Sequence, residues 1–297
     1  LNVVKGLMDV PTLAGVALVD DDAAKALETF NRTETPYEAD ATVVELFRRQ
    51  AAATPDAVCL VFEGRRFTYA EVDRLSDALA RHLVARGLKP GEVVGILIPR
   101  CEHMLIVPLG VLKAGCAYMP MDPSYPEDRL NLMMRDSGAQ MLISTPGLSG
   151  IIDEGFGGER LMTGGIEALP ECDAPLPEPR PDDKFVILYT SGSTGVPKGV
   201  VFRHSNTAVT AAWERRFYSL GLGCGVTAYA SFGFDANVFD TYATITSGAT
   251  LHIISESIRL DLPALRDYFN ANGITHSTMT TQVGRQFAQM GGLETLR

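Results

Sequence analysis

Patterns that form disulfides or bind metals are what this sequence has least of. Its five cysteines (Cys59, Cys101, Cys116, Cys172, Cys224) are odd in number, far apart and never in a CxxC pair. Such spacing predicts buried free thiols in a reducing compartment, the cytoplasm, and excludes a disulfide framework. The five histidines are equally scattered, which leaves no zinc spacing and no expected metal ligand within the chain. Basic residues are also short: 26 Lys and Arg against 36 Asp and Glu give a net charge of -10. Nucleic acid and anionic membranes favour a basic face, so neither is expected as a partner. A small anionic ligand held by local groups stays open. Apolar runs such as 93–98 and 104–112 are too short to span a bilayer, and no secretory leader is visible.

What is present suits a soluble α/β protein. Hydrophobic residues make up 46% and charged residues 21% of 297 positions, enough for one large domain or two smaller ones. The opening "LNVVKGLMDV" has neither a start methionine nor a capped element and reads as a segment of something longer. Residues 1–40 combine a short amphipathic stretch at 23–30 with the polar "NRTETPYEAD", which suggests a linker or wrapping arm.

From residue 41 the pattern becomes regular. A helix containing Val44, Phe47 and Arg48 should end before "TPDA", followed by strand "AVCLVF" and the hairpin-like "EGRRFTY". Thr68 and Glu71 fit a capping box, and Val72, Leu75, Leu79 and Leu83 form one helical stripe that closes near Gly87. Strands are expected at "VVGILI", "CAYMPM", "AQMLIS", "FVILYT", "GVVF", "VTAYAS", "ATLHII" and "ITHSTM". Helices are expected at 102–115, 126–136, 205–220, 238–245 and 262–272, with a glycine-rich loop at 145–165 and a proline-rich connector at 169–183. Strands alternating with helices predict an α/β fold of stacked βαβ layers with mostly parallel sheets.

One stretch, "LYTSGSTGVPKGV" (188–200), carries the chemistry. It leaves the carboxyl end of the strand "FVILYT", where open α/β sheets gather ligands. Its glycines let amides approach an anion closely, its hydroxyls add donors, and Lys198 supplies a point charge. A Walker A loop fits poorly. Gly192 and Lys198 have its separation, but Pro197 stands in place of the second glycine and Gly199 in place of the hydroxyl that would hold magnesium. A flexible linker is disfavoured because buried strands are expected on both sides.

The whole string resembles the phosphate-binding signature of the adenylate-forming, or AMP-binding, superfamily. "LKAGCAYMPMDPSYPEDRL" (112–130) and "FTYAEVDRLSDALARHL" (67–83) look like segments of one branch of it, the adenylation domains of nonribosomal peptide synthetases. Read from the residues alone, the first of these is a structural crossover in which Asp122 and Arg129 can pair, and the second is a packing helix. The resemblance covers essentially the whole chain. It implies that 1–40 is the tail of a condensation domain with its linker, and that 41–297 is the incomplete large N-terminal subdomain of the adenylate-forming fold.

That resemblance also implies roles. Thr190, Ser191, Gly192, Ser193, Thr194, Gly195 and Lys198 would hold the β,γ-phosphates of ATP, with Thr190 and Lys198 acting in catalysis. "SFGFDANVFD" (231–240) resembles the family's FDxSVxx segment, which makes Asp235 the residue that binds the substrate's α-ammonium group. A carboxylate at a strand end beside Phe232 and Phe234, partly desolvated, binds an ammonium more strongly than in water. From the residues alone, Asp235 could equally N-cap the following helix. Asn237 stands where serine is common in the family. By the same alignment Ala236, Phe239 and Thr278 line a side-chain pocket without a countercharge, so the expected substrate is a hydrophobic amino acid.

The implied reaction is ATP plus amino acid to aminoacyl-AMP and pyrophosphate, then transfer to phosphopantetheine on a partner carrier domain. Catalysis would rest on positioning and on neutralising phosphate charge. The family's NxYGPTE segment with its magnesium-contacting glutamate, the ribose-binding aspartate and the C-terminal catalytic lysine have no match here. The Mg2+ ligand is therefore expected beyond Arg297, and the stretch alone is expected to be inactive. Two other classes compete: an acyl-CoA ligase of the same superfamily, which has no use for Asp235, and a non-catalytic truncated module that docks through residues 1–40.

Overall fold

A computed structural model describes residues 19–38, 40–191 and 197–296. The chain divides into two compact units, Leu1–Tyr37 and Glu38–Arg297. In the first, helix α1 (Asp21–Phe30) is capped by Asp20, whose carboxylate accepts the Ala23 amide at 2.8 Å, and none of its residues is buried.

In the second unit, α2 (Val43–Ala53) starts on the Thr42 cap and leads to β1 (Val58–Phe62) and β2 (Arg65–Thr68). The two strands are joined by Glu63 and Gly64, at φ 44° and 81°. Positive φ at both positions gives the hairpin turn whose twist matches the strands it connects. Helix α3 (Tyr69–Ala85) begins on the expected capping box: Thr68 accepts the Glu71 amide at 3.2 Å, and Glu71 accepts the Thr68 amide at 2.7 Å. The chain continues through β3 (Val93–Leu97), α4 (His103–Lys113), β4 (Ala117–Met121), α5 (Glu127–Asp136), β5 (Met141–Ser144) and β6 (Glu159–Met162). After these come β7 (Lys184–Thr190), β8 (Lys198–Arg203), α6 (His204–Phe217), β9 (Gly225–Ala228), α7 (Asp235–Ile245) and β10 (Thr250–Ile253). Short α8 (Glu256–Arg259), α9 (Leu262–Asn272), β11 (Ile274–Ser277) and α10 (Thr281–Met290) complete it.

The strands form two sheets, ordered β11-β9-β10-β1-β2 and β6-β5-β3-β4-β7-β8. Every pairing is parallel except those of the edge strands β2 and β8, which run antiparallel to β1 and β7. One apolar core holds residues of both sheets together with α2, α3, α4 and α7. Helix α4 is buried along its whole length, so it is apolar on all sides rather than on one stripe. The α/β fold with mostly parallel sheets is thus the one the sequence implies.

Three local expectations are corrected. The loop at 145–165 contains β6, an edge strand whose sequence "ERLM" buries only Leu161 and so carries no alternating signal. Helix α10 went unread because Phe287 is its one buried residue. Strand β8 is exposed rather than buried, with Val200 and Val201 more than two-fifths accessible, because it closes the sheet as an edge. The connector at 169–180 has no regular structure, as expected, and is tied down where Arg81 donates to the Ala174 carbonyl at 2.8 Å. All five cysteines are free; Cys59, Cys116 and Cys224 are buried, while Cys101 and Cys172 are half-buried.

Candidate active site

The stretch 188–200 includes the end of β7 and the start of β8, which pair antiparallel. Cross-strand pairing sets Thr190 opposite Lys198, with Tyr189 opposite Gly199 and Leu188 opposite Val200. Directly opposed residues in an antiparallel ladder present their side chains to the same face. Thr190 and Lys198 therefore stand together at the mouth of the loop, both exposed, with Ser191 exposed beside them. Gly192, Ser193, Thr194 and Gly195 lie outside the described residues. Gly199 sits against β7, where an added Cβ would come within 3.2 Å of Ile187 and Tyr189. The glycine that broke the Walker pattern thus serves close strand packing.

The second candidate cluster opens α7. Asp235 is its first residue, with Phe234 as the cap, and its Oδ1 accepts the Ala236 amide at 2.8 Å. The N-cap reading of Asp235 is therefore replaced by a first-turn acid, a position the helix dipole favours. Asp235 and Phe234 are exposed rather than partly desolvated, whereas Phe232 is buried. Phe239 lies four residues on, one helical turn away on the same face, and stacks on Phe202 of β8 with centroids 6.2 Å apart. Thr278, just past β11, donates to Asp240 at 2.6 Å. The structure thus gathers Asp235, Ala236, Phe239 and Thr278 around the first two turns of one helix. Asn237 is buried and donates to the Ala230 carbonyl at 3.3 Å, holding the helix to the strand-end loop it leaves.

The segment 118–130 braces both clusters. The expected pairing of Asp122 with Arg129 is not formed. Arg129 reaches the Tyr189 carbonyl at 3.4 Å, next to Thr190, and lies over the Tyr125 ring at 3.9 Å. Asp122 accepts bonds from Ser124 and from Ser231 at the start of the second cluster. Burial pushes the Asp122 carboxyl up, but these bonds outweigh it and hold the group below the usual range. Arg100, beyond the end of β3, donates to the carbonyls of Ala228, Ala230 and Ile254. It joins one sheet to the strand ends of the other. Burial lowers its guanidinium to about 10, which leaves it charged at neutral pH.

Sequence reading missed Arg100, Ser231, Asp240 and Glu214. Asp240 stood inside the quoted "SFGFDANVFD", yet only folding shows that it is buried. Among the described residues one group has metal-ligand geometry: Glu102, His103 and Glu167, with ligand atoms within 4.8 Å of one another. Arg65 already pairs with both of its carboxylates, so part of their charge is offset without a metal.

Comparison with known proteins bears on the family and the fold. Residues 47–296 match the model of the family described as "AMP-binding enzyme". The chain is 35% identical over 298 residues to surfactin synthase subunit 1 of Bacillus subtilis (strain 168), covering 98% of this chain and 8% of that protein. It is 36% identical over 273 residues to bacitracin synthase 1 of Bacillus licheniformis, covering 89% of this chain and 5% of that one. The chain therefore spans less than a tenth of these curated relatives. Among solved structures it superimposes on the nonribosomal peptide synthetase FmoA3 (S1046A) in its α-methyl-L-serine-AMP-bound form. The TM-score is 0.86 at 25% identity, over 95% of this chain and 32% of that one. The N-terminal subdomain of Klebsiella oxytoca NpsA in complex with 3-hydroxyanthranilyl-AMSN gives 0.77 at 26% identity, over 86% of this chain and 64% of that one.

Proposed function

The chain belongs to the family of AMP-binding enzymes, and from that premise we propose that it activates an amino acid with ATP as the core of a nonribosomal peptide synthetase adenylation domain. The observation that carries this reading is the antiparallel β7–β8 pairing, which sets Thr190 opposite Lys198 at the two ends of residues 191–197. Those two groups, with Ser191 and the loop residues Gly192, Ser193, Thr194 and Gly195, would hold the β,γ-phosphates. Charge on the departing pyrophosphate develops as the amino acid's carboxylate attacks the α-phosphorus, and a preplaced lysine stabilises it.

Asp235 would bind the α-ammonium group. Its exposure is compatible with that role, because bound substrate and further chain would exclude water and strengthen the pair. Ala236, Phe239 and Thr278 would form an apolar pocket wall. Residues 1–40 would be the end of a condensation domain with its linker. Mg2+ accompanying ATP and transfer to a carrier-domain phosphopantetheine in the cytoplasm belong to the same reading. No helix among the described residues is long and apolar enough to cross a membrane.

The test is ATP–pyrophosphate exchange in a synthetase module that includes this chain. An apolar amino acid should drive exchange, and Asp235→Ala should cut amino-acid-dependent exchange at least 100-fold, the scale of losing a charge-assisted contact in a closed site. Exchange driven only by carboxylic acids without an α-amine, and insensitive to Asp235→Ala, would establish the acyl-CoA ligase instead.

A further inference from the structure

Beneath the pocket wall formed by Thr278 lies a carboxylate with an unfilled bonding position. Asp240 follows Phe239 on α7, is 7% exposed, and accepts the Thr278 hydroxyl at Oδ1 at 2.6 Å. Its Oδ2 is buried without a hydrogen-bond partner. From the neighbouring elements, Thr278 faces it from the end of β11 and Glu214 faces it from α6. Burial pushes the Asp240 carboxyl up to about 8, against a downward pull from the Thr278 bond, and the Glu214 charge adds to the rise. Glu214 is itself pushed up to about 7 by burial. The result is a buried acid whose described hydrogen-bond donor is a residue of the proposed substrate pocket.

A threonine hydroxyl has a single proton to donate. Once that proton is committed to Asp240, Thr278 has no donor for a substrate, and its oxygen, which keeps acceptor lone pairs, is held toward Asp240 rather than free to turn to the substrate. We propose that Asp240 is a positioning residue for side-chain specificity: by holding the Thr278 hydroxyl from below, it leaves the threonine methyl as the surface offered to the substrate, so the pocket favours apolar amino acids over hydroxylated ones of the same shape. The inference rests on the reading of Thr278 as a pocket residue. An apolar pocket by itself rejects an added hydroxyl only modestly, so a protein group able to bond that hydroxyl would erode the preference. Asp240 keeps the donor of the nearest such group occupied and fixes where its acceptor lone pairs point.

The test compares kcat/KM for valine against threonine, and for phenylalanine against tyrosine, by pyrophosphate exchange in the intact synthetase module. Asp240→Leu removes the acceptor and frees the Thr278 hydroxyl. It should move each ratio toward the hydroxylated member by about three- to tenfold, the value of one net hydrogen bond, and mainly through KM. Asp240→Asn retains a carbonyl acceptor and should keep the shift under about twofold on the same scale. Adding Thr278→Val to Asp240→Leu should reverse the shift. Equal losses for both members of each pair, or an Asp240→Asn shift as large as that of Asp240→Leu, would overturn the proposal.

A second measurement needs no substrate and no destabilising variant. In the same protein with methyl-labelled threonine, the Thr278 resonance should titrate with a midpoint near 8, the value burial gives Asp240, and should lose that titration in Asp240→Asn. A Thr278 resonance that does not titrate would overturn the contact itself. A module that activates no amino acid, yet shows the titration, would defeat the proposed function and leave the Asp240–Thr278 contact standing.

Discussion

Lys113 shows how a signature residue serves structure. Its side chain is fully buried, and its ammonium donates to the Asp73 carboxylate at 2.6 Å and the Asp73 carbonyl at 3.0 Å, with the Asp77 carboxylate 2.7 Å away. All three of its donors thus face acceptors, and the Phe47 ring lies 5.4 Å from the nitrogen. Burial pushes the Asp77 carboxyl up, but Lys113 and Arg48 together hold it below its usual value. Removing one partner of a buried pair leaves the other charges uncompensated. Lys113→Met should therefore cost about 3 kcal/mol in urea unfolding at pH 7, the low end of the usual range because both aspartates reach solvent. Asp77→Asn should cost less, since Asp73 continues to pair. The sequence offered this lysine only as part of "LKAG", with no sign that its partners would come from α3.

At the scale of elements, α3 and α4 meet at Gly110. A Cβ built there would fall 2.7 Å from Leu79 Cδ2 and 2.9 Å from Leu79 Cγ, so the helices approach as closely as they do because the position carries no side chain. In an isolated helix Gly→Ala would gain up to about 1 kcal/mol. Here overpacking should dominate, and Gly110→Ala should destabilise by about 1–3 kcal/mol. A double-mutant cycle with Leu79→Ala checks the cause: the two changes should couple favourably by at least about 0.5 kcal/mol. Additive effects would place the cost elsewhere. The stripe Val72, Leu75, Leu79 and Leu83 was legible from helical spacing, because the period alone sets which residues share a face. Which residue faces Leu79 was not legible, because that depends on the crossing of two helices.

At the scale of the whole molecule, buried groups that keep their protons make stability depend on pH. Folded Asp240 and Glu214 titrate near 8 and 7, while unfolded carboxyls titrate near 4, so above pH 4 the folded state binds more protons. Stability from these groups is present in full below pH 4 and is lost progressively as pH rises from there through 7 and 8. The half-buried thiol of Cys101 and the buried thiol of Cys116, raised by desolvation to about 11 and about 12, extend the decline above pH 8.5. His204 and His252, lowered by burial to about 4, act oppositely: their contribution falls as pH drops below about 6.5. Urea midpoints should therefore fall steadily from pH 7 to 9.5, and Asp240→Asn should flatten the first part of that fall. A midpoint unchanged over that interval would contradict the burial assigned to these groups.

The sequence by itself determined the alternation of strands and helices, the capping box at Thr68, and the string from Thr190 to Gly199 that marks the family. Each is a local property, set by spacing along the chain, by single-residue conformational limits or by a contiguous motif. Only the tertiary structure decided that β8 is an exposed edge and that Thr190 and Lys198 face each other across it. It also decided that Arg129 supports the base of one cluster while Asp122 holds the other, and that Asp240 lies buried under Thr278. Those facts join residues from 38 to 109 positions apart for the contacts of Asp240 and Asp122. Contacts at such separation arise from how layers stack and strands order, which no local pattern encodes.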